Sequence, residues 1–284
     1  MFCLSLAIHL QYASSRIPPD TITRKPLCEM KLVVLGSGTS VPHPKRASAS
    51  YWLETTRGTR ILLDAGADAP HRMAQEDLDW PNLDIVWISH CHWDHFAGLP
   101  ALLFGMKWAP QTQNRTAKLT ILGGAGLRQT LKQINAANSF KLLDQSFPVD
   151  IQEINPEAEI RLTGNVSARA MRTPHTKDSL ALRLTDVDGK TMVYTSDTGF
   201  ADELIPFCTG ADLLLLECSF RQSKPLETHL ELADAMKIAA ACAPENLVLT
   251  HFYPEWDQFN VANEARRSWS GETFEATDGL TLII

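Results

Sequence analysis

Short apolar runs recur along the chain, most of them followed by a polar or glycine-bearing turn. Leu32–Leu35, Ile85–Ile88, Leu119–Leu122, Asp212–Leu216 and Leu247–Thr250 are too short for helices and read as buried strands. Ser50–Thr55 and Arg60–Asp64 read as a strand pair around Arg57-Gly58. After Asn138 the pattern is mostly β, with strands expected at Val149–Ile154, Glu159–Leu162, Val166–Met171, Leu180–Thr185 and Thr191–Thr195. Asp188-Gly189 supplies a hairpin turn between the last two, and Leu280–Ile284 forms a final strand. Helical spacing is expected over 67–77, from Phe96 to about Met106, after Gly126 to about Ala137, over Phe200–Cys208 and over Thr228–Ala241. The last places Leu232, Ala235, Met236 and Ala239 on one face. Strand–loop–helix units of this kind predict an α/β fold with a substantial β region, and no repeat of solenoid period is present.

The turn after Ile85–Ile88 is the chemically unusual one. It reads Ser89-His90-Cys91-His92-Trp93-Asp94-His95, with three imidazoles and a carboxylate in six residues. A lone His-x-His can be a pair of surface residues, but this density matches the nitrogen and oxygen ligand preferences of borderline divalent metals. Cys91 lies between two candidate ligands and is expected to point away from them. His175, Asp197 and His251 each follow a strand in the same manner, and Asp64 ends one. Taken singly, Asp197 also reads as a turn residue and the two histidines as partly buried ones. Gly36-Ser37-Gly38 completes no phosphate-binding pattern and reads equally as a tight turn.

Composition narrows the class. The 284 residues are 44% hydrophobic and 21% charged, enough for a sizeable core in one large domain or two small ones. A net charge of −7 argues against nucleic-acid binding through a global basic field. The six cysteines form no C-x-x-C pair, as expected of reduced thiols in a cytoplasmic protein. No apolar run reaches a membrane span. Residues 1–29 are expected to be an extension outside the fold, with residues 30–284 as one domain, because Met30-Lys31-Leu32-Val33-Val34-Leu35-Gly36 looks like a natural start. A cleaved targeting segment is the alternative for those residues.

The order H-x-H-x-D-H, His, Asp, His, preceded by Asp64, resembles the metallo-β-lactamase fold superfamily over about residues 30–284. The resemblance implies a four-layer αβ/βα sandwich with two metals at one edge. It implies His90, His92 and His175 as ligands of one metal, Asp94, His95 and His251 as ligands of the other, and Asp197 as the bridge. Asp64 is similar to the carboxylate behind the ligands that orients them. The segments MKLVVLGSGTS (30–40), YTSDTG (194–199), LECSF (216–220) and Thr250-His251-Phe252 look like the ribonuclease Z-like branch. That branch implies His229 as the residue acting at the scissile phosphate, and it implies a homodimer; Glu217 is read as a partner that supports His229 in catalysis. One departure matters. Only residues 176–196 separate His175 from Asp197, leaving no room for the long arm with which tRNA-processing members grip tRNA.

These readings predict a phosphodiesterase holding two divalent ions, Zn²⁺ ahead of Mn²⁺ or Fe, that acts on a small or single-stranded nucleotide substrate. Such ions would activate a water, with Asp94 orienting it and taking its proton. The tRNA 3′-end endoribonuclease is the first alternative. A lactone, other ester or aryl sulfate hydrolase on the same core is the second. A binding protein with a vestigial site is a third, which a lost ligand would mark, and none is lost.

Overall fold

A computed structural model gives the three-dimensional structure and describes residues 29–137, 139–156 and 158–284. The expectation for residues 1–29 falls, apart from Glu29, outside the described residues. The first half runs β1 (Lys31–Gly36), β2 (Ser50–Glu54), β3 (Arg60–Ala65), α1 (Ala69–Gln75), β4 (Ile85–Ile88), α2 (Trp93–Phe96), α3 (Gly98–Trp108), β5 (Leu119–Gly123), α4 (Leu127–Ala137) and β6 (Val149–Glu153). The second runs β7 (Glu159–Arg161), β8 (Ser167–Arg172), β9 (Leu180–Thr185), β10 (Thr191–Tyr194), α5 (Leu204–Cys208), β11 (Leu213–Glu217), α6 (Leu232–Cys242), β12 (Asn246–Thr250), α7 (Val261–Ala265), β13 (Glu272–Glu275) and β14 (Thr281–Ile283).

Among the described residues these strands form two seven-stranded sheets, ordered β14-β1-β2-β3-β4-β5-β6 and β13-β12-β11-β10-β9-β8-β7. Each sheet joins an antiparallel part to a parallel part, β3 through β6 in one and β10 through β13 in the other. The strands alternate between two cores. Leu32, Val34, Ile61, Leu63, Ile85 and Trp87 face the interior shared by the sheets, with Leu182, Leu184, Leu215 and Val248. Val33, Leu35, Leu62, Val86 and Ile88 face the outer core under α1, α3 and α4. Burial on both faces is why these strands read as continuous apolar runs rather than alternating ones. The sandwich with helices outside it is the metallo-β-lactamase fold expected from the sequence.

Three expectations are corrected. The helix expected over Thr228–Ala241 begins only at Leu232. The Phe220 amide donates to the Leu230 carbonyl and the Phe220 carbonyl accepts from the Leu232 amide, while the Leu230 amide donates to Glu217, so the chain stays extended up to Glu231. The helix expected from Phe96 is split into α2, which carries Asp94 and His95, and α3. The helix expected over Phe200–Cys208 is confined to Leu204–Cys208. Two elements had no clear signal. β13, Glu-Thr-Phe-Glu, is a polar edge strand, and α7 is five residues long.

Gly98 fixes the motif helices to the first sheet. A Cβ there would lie 2.1 Å from the Gly66 carbonyl oxygen just beyond β3, a backbone atom that cannot swing aside. Gly98→Ala is expected to cost about 1–3 kcal/mol by overpacking. Urea unfolding measures this, and an unchanged midpoint would show that the helix is free to shift.

Candidate metal centre

Parallel strands in both sheets deliver their C-terminal ends to one rim, where side chains from separate loops can meet. Asp64 stands at the end of β3 and residues 90–95 follow β4. His175 follows β8, Asp197 follows β10, Glu217 ends β11 and His251 follows β12. Asp64, Ser196 and His251 have φ of 55°, 56° and 62°, a left-handed backbone that non-glycine residues adopt only when their surroundings hold them. The turns at these strand ends therefore bend sharply enough to aim their side chains into the rim.

All seven residues expected as ligands lie there, in two groups sharing one member. His90, His92, His175 and Asp197 form the first, and Asp94, His95, Asp197 and His251 the second. In the first, His175 Nε2 is 3.0 Å from His92 Nδ1, and Asp197 Oδ2 is 3.6 Å from His175 Nε2 and 3.8 Å from His90 Nε2. In the second, His95 Nε2 is 3.3 Å from His251 Nε2, and Asp197 Oδ1 is 3.2 and 3.3 Å from those two nitrogens. Asp94 Oδ2 completes it at 3.6 Å from His95 and 3.5 Å from His251. Each Asp197 oxygen thus addresses one group. Ligands about 2.0 Å from one tetrahedral ion stand about 3.3 Å from each other, so these separations suit a common ion.

Two further observations test the fit. His90 Nε2 is buried with no hydrogen-bond partner, an acceptor that protein atoms leave unused. Burial, with the neighbouring His95, also pushes the His90 imidazole well below its usual range, which leaves it neutral as a ligand must be. Burial likewise lowers His175. Burial opposes the charge on Asp197, yet His251 and His95 outweigh it and hold the carboxyl well below its normal range. Asp94 is lowered in the same way, against burial, by His251 and His95. Burial would lower His95, but Asp197 and Asp64 raise it well above its ordinary value.

Behind the ligands lies a layer of fixed partners. Asp64 accepts from the Ser89 amide and hydroxyl, from Tyr194 Oη and from His95 Nδ1, each at 2.7 Å. Glu217 accepts from the Thr198 and Leu230 amides, the Ser219 hydroxyl and His229 Nδ1 at 2.6, 3.1, 2.6 and 3.1 Å. His229 is buried, and its ring stacks on His251 at 5.6 Å. Burial lowers the His229 pKa, but the hydrogen bond and charge of Glu217 carry it above the usual value. Cys91 belongs to neither group. It packs toward the outer core, and burial raises its thiol to about 11.

The site opens on a cavity of about 560 Å³ lined by His92, Asp94, His175, Asp197 and His251 from the two groups, with His229, Ser40, Cys91, Trp93, Leu226, Thr228 and Tyr253. Trp93 is 69% exposed, at the mouth. Tyr253 stacks on Phe220 at 4.6 Å. Trp108 is exposed on α3, and Phe252 and Trp256 are core residues. Ser89, Tyr194 and Ser219 were not singled out from the sequence. Tyr194 meets Asp64 across 130 positions, Ser219 meets His251 across 32 and Ser89 meets Asp64 across 25, so no local pattern announces them.

The family described as "Anti-Pycsar protein Apyc1" matches residues 30–269. An uncharacterised protein of Mycobacterium bovis, Mb1374, is 27% identical over 272 residues, covering 91% of this chain and 97% of its own. A ribonuclease Z of Pyrobaculum calidifontis is 27% identical, covering 80% and 88%. The metallo-β-lactamase fold protein YhfI of Bacillus subtilis superposes with a TM-score of 0.75 at 26% identity, covering 90% and 99%.

Asp64→Ala would strand four donors in a dry interior. It is expected to destabilise the fold by about 3–5 kcal/mol, as removal of one member of a buried charged network does. Chemical denaturation checks this, and a loss below about 1 kcal/mol would mean that water replaces the carboxylate.

Proposed function

The chain belongs to the Anti-Pycsar protein Apyc1 family and is a metallo-hydrolase of the metallo-β-lactamase fold, and we propose that its reaction is phosphodiester hydrolysis in a small or single-stranded nucleotide substrate. The observation that carries this reading is the Asp197 carboxylate, whose two oxygens address two separate ligand groups on the floor of an open cavity. Two divalent cations, Zn²⁺ by ligand type, would supply there a lowered water pKa and neutralisation of phosphate charge.

The chain's own side chains do the rest. His90, His92 and His175 would hold one ion, Asp94, His95 and His251 the other, with Asp197 between them. Asp94, at the cavity wall, orients the attacking water and accepts its proton. His229 is held through Nδ1 by Glu217, which leaves Nε2 to donate to a phosphate or leaving-group oxygen. Asp64 fixes His95 from behind.

The interval between His175 and Asp197 favours a small substrate. Residues 180–185 and 191–194 are β9 and β10, paired as a hairpin within the second sheet, so the interval is consumed by the fold. A cavity of about 560 Å³ is of nucleotide size. A 2′,3′- or 3′,5′-cyclic nucleotide or a short RNA suits both. Ribonuclease Z activity on pre-tRNA is the second reading, supported by the ribonuclease Z relatives. A cytoplasmic location belongs to the same proposal, supported by the free thiols Cys91, Cys208, Cys218 and Cys242. Among the described residues no helix is long and apolar enough to cross a membrane. So does a homodimer, supported by the exposed Phe104 and Trp108 of α3 beside Phe140. Sedimentation of a monomer at micromolar concentration would remove that part.

The purified chain is expected to carry close to two ions and to lose activity to chelation. Full activity without metal would sink the mechanism. Asp94→Ala is expected to abolish hydrolysis with the fold intact. His229→Ala is expected to lower kcat by about 10²–10⁴-fold with metal content unchanged, as loss of an acid–base group does. Loss of metal instead would reassign His229 as a ligand. A panel of bis-p-nitrophenyl phosphate, cyclic nucleotides, a pre-tRNA, a lactone and an aryl sulfate decides the substrate class, and preference for the last two would overturn the phosphodiester reading.

A further inference from the structure

The two sheets carry the same three-residue arrangement, one copy behind each ligand group. In the first, Ser89 Oγ lies 2.7 Å from Asp64 Oδ2 and 3.0 Å from His90 Nδ1. In the second, Ser219 Oγ lies 2.6 Å from Glu217 Oε2 and 3.0 Å from His251 Nδ1. All six residues are buried. A carboxylate offers only acceptors and a serine hydroxyl has one proton. Each serine must therefore donate to its carboxylate. Its remaining lone pairs can only accept, and the atom beside them is the histidine Nδ1. In both copies the histidine turns its Nε2 toward Asp197, at 3.8 Å from His90 and 3.3 Å from His251.

We propose that Ser89 and Ser219 are matched positioning residues that fix His90 and His251 with the proton on Nδ1, so that both present an Nε2 lone pair to the ligand groups. The inference rests on the metal reading given above for what those lone pairs serve. It does not rest on it for where the protons lie. The tautomer follows from a chain of donors and acceptors that starts at a buried carboxylate. His95 needs no such intermediary, because its Nδ1 reaches Asp64 directly at 2.7 Å. His175 Nδ1 meets the Thr228 carbonyl at 3.0 Å, which also accepts. Four histidines therefore share one polarity. His92 differs, since it turns Nδ1 toward His175 and the first group.

Ser219 has a second neighbour. His229 Nδ1 lies 3.3 Å from its hydroxyl and 3.1 Å from Glu217 Oε1. Loss of the Ser219 hydroxyl removes a donor to the carboxylate that holds His229 and an acceptor for His251. The polar contacts of Ser89 go instead to Asp64 and His90. The two serines should thus separate in kinetics while agreeing in metal binding.

The test uses the full chain labelled with ¹⁵N-histidine, free of metal and loaded with Zn²⁺. Long-range ¹H–¹⁵N correlation reads which ring nitrogen carries the proton, and competition with a chromophoric chelator reads Zn²⁺ affinity. A proton on Nδ1 of His90 and His251 in both forms is expected. A bare Nδ1 on either overturns the proposal, and this readout needs no variant to fold. Ser89→Ala and Ser219→Ala are each expected to weaken one of two Zn²⁺ ions about 10–100-fold while the other is retained. Ser→Thr, which keeps the hydroxyl, is expected to restore affinity at each position. Ser219→Ala alone should also lower kcat beyond what saturating Zn²⁺ recovers. Folded alanine variants that bind Zn²⁺ like the parent would overturn the proposal. A parent that binds two Zn²⁺ with the expected tautomers yet cleaves no phosphodiester would sink the functional reading and leave this one standing.

Discussion

The rim of this molecule is organised by one buried carboxylate. Asp197 stands between two sets of imidazoles, each of its oxygens 3.2–3.8 Å from the nitrogens on its own side. Taking a charge out of water is costly unless opposite charge or directed donors surround it. Asp197 satisfies that condition only if both sheets bring their loops to the same edge, because its partners come from β4, β8 and β12. The same requirement explains the left-handed turns at Asp64, Ser196 and His251. An extended residue there would carry the chain past the rim rather than into it.

The layer behind the ligands turns this cluster into a set of aimed lone pairs. Two carboxylates, Asp64 and Glu217, each collect donors from several loops and sit fully enclosed at the ends of β3 and β11. An imidazole on a flexible side chain would otherwise sample several rotamers and both tautomers. Contacts of 2.7–3.0 Å on the far nitrogen restrict it to one. The rigidity of the sandwich reaches the site in this way, through polar contacts seated on strand ends rather than through the loops themselves.

Much of the architecture was legible as pattern. Strands buried on both faces, such as Lys31–Gly36 and Leu213–Glu217, must be apolar at consecutive positions, so their presence was plain even where their ends shifted by a residue. The failures share one cause. The chain at Thr228–Glu231 has acceptable helical residues, but Glu217 and Phe220 offer its backbone better partners in extended form. The strand Glu272–Glu275 lies at an edge with polar residues, where β12 supplies the pairing that its composition does not demand.

The sequence by itself determined the chemistry of the rim. Three histidines and an aspartate within six residues, followed by His175, Asp197 and His251 after strands, supply the nitrogen and oxygen donors that gather there. It also limited the stretch between His175 and Asp197 to residues 176–196, two expected strands and their turn, with no room for a long arm. Only the tertiary structure decided how close the candidate ligands come, which oxygen of Asp197 faces which group, and that Ser89, Tyr194 and Ser219 stand behind them. The physical reason is range. A turn or an apolar strand is set by neighbours along the chain, whereas a hydrogen bond such as Tyr194 to Asp64 spans 130 positions and exists only once two sheets have packed face to face.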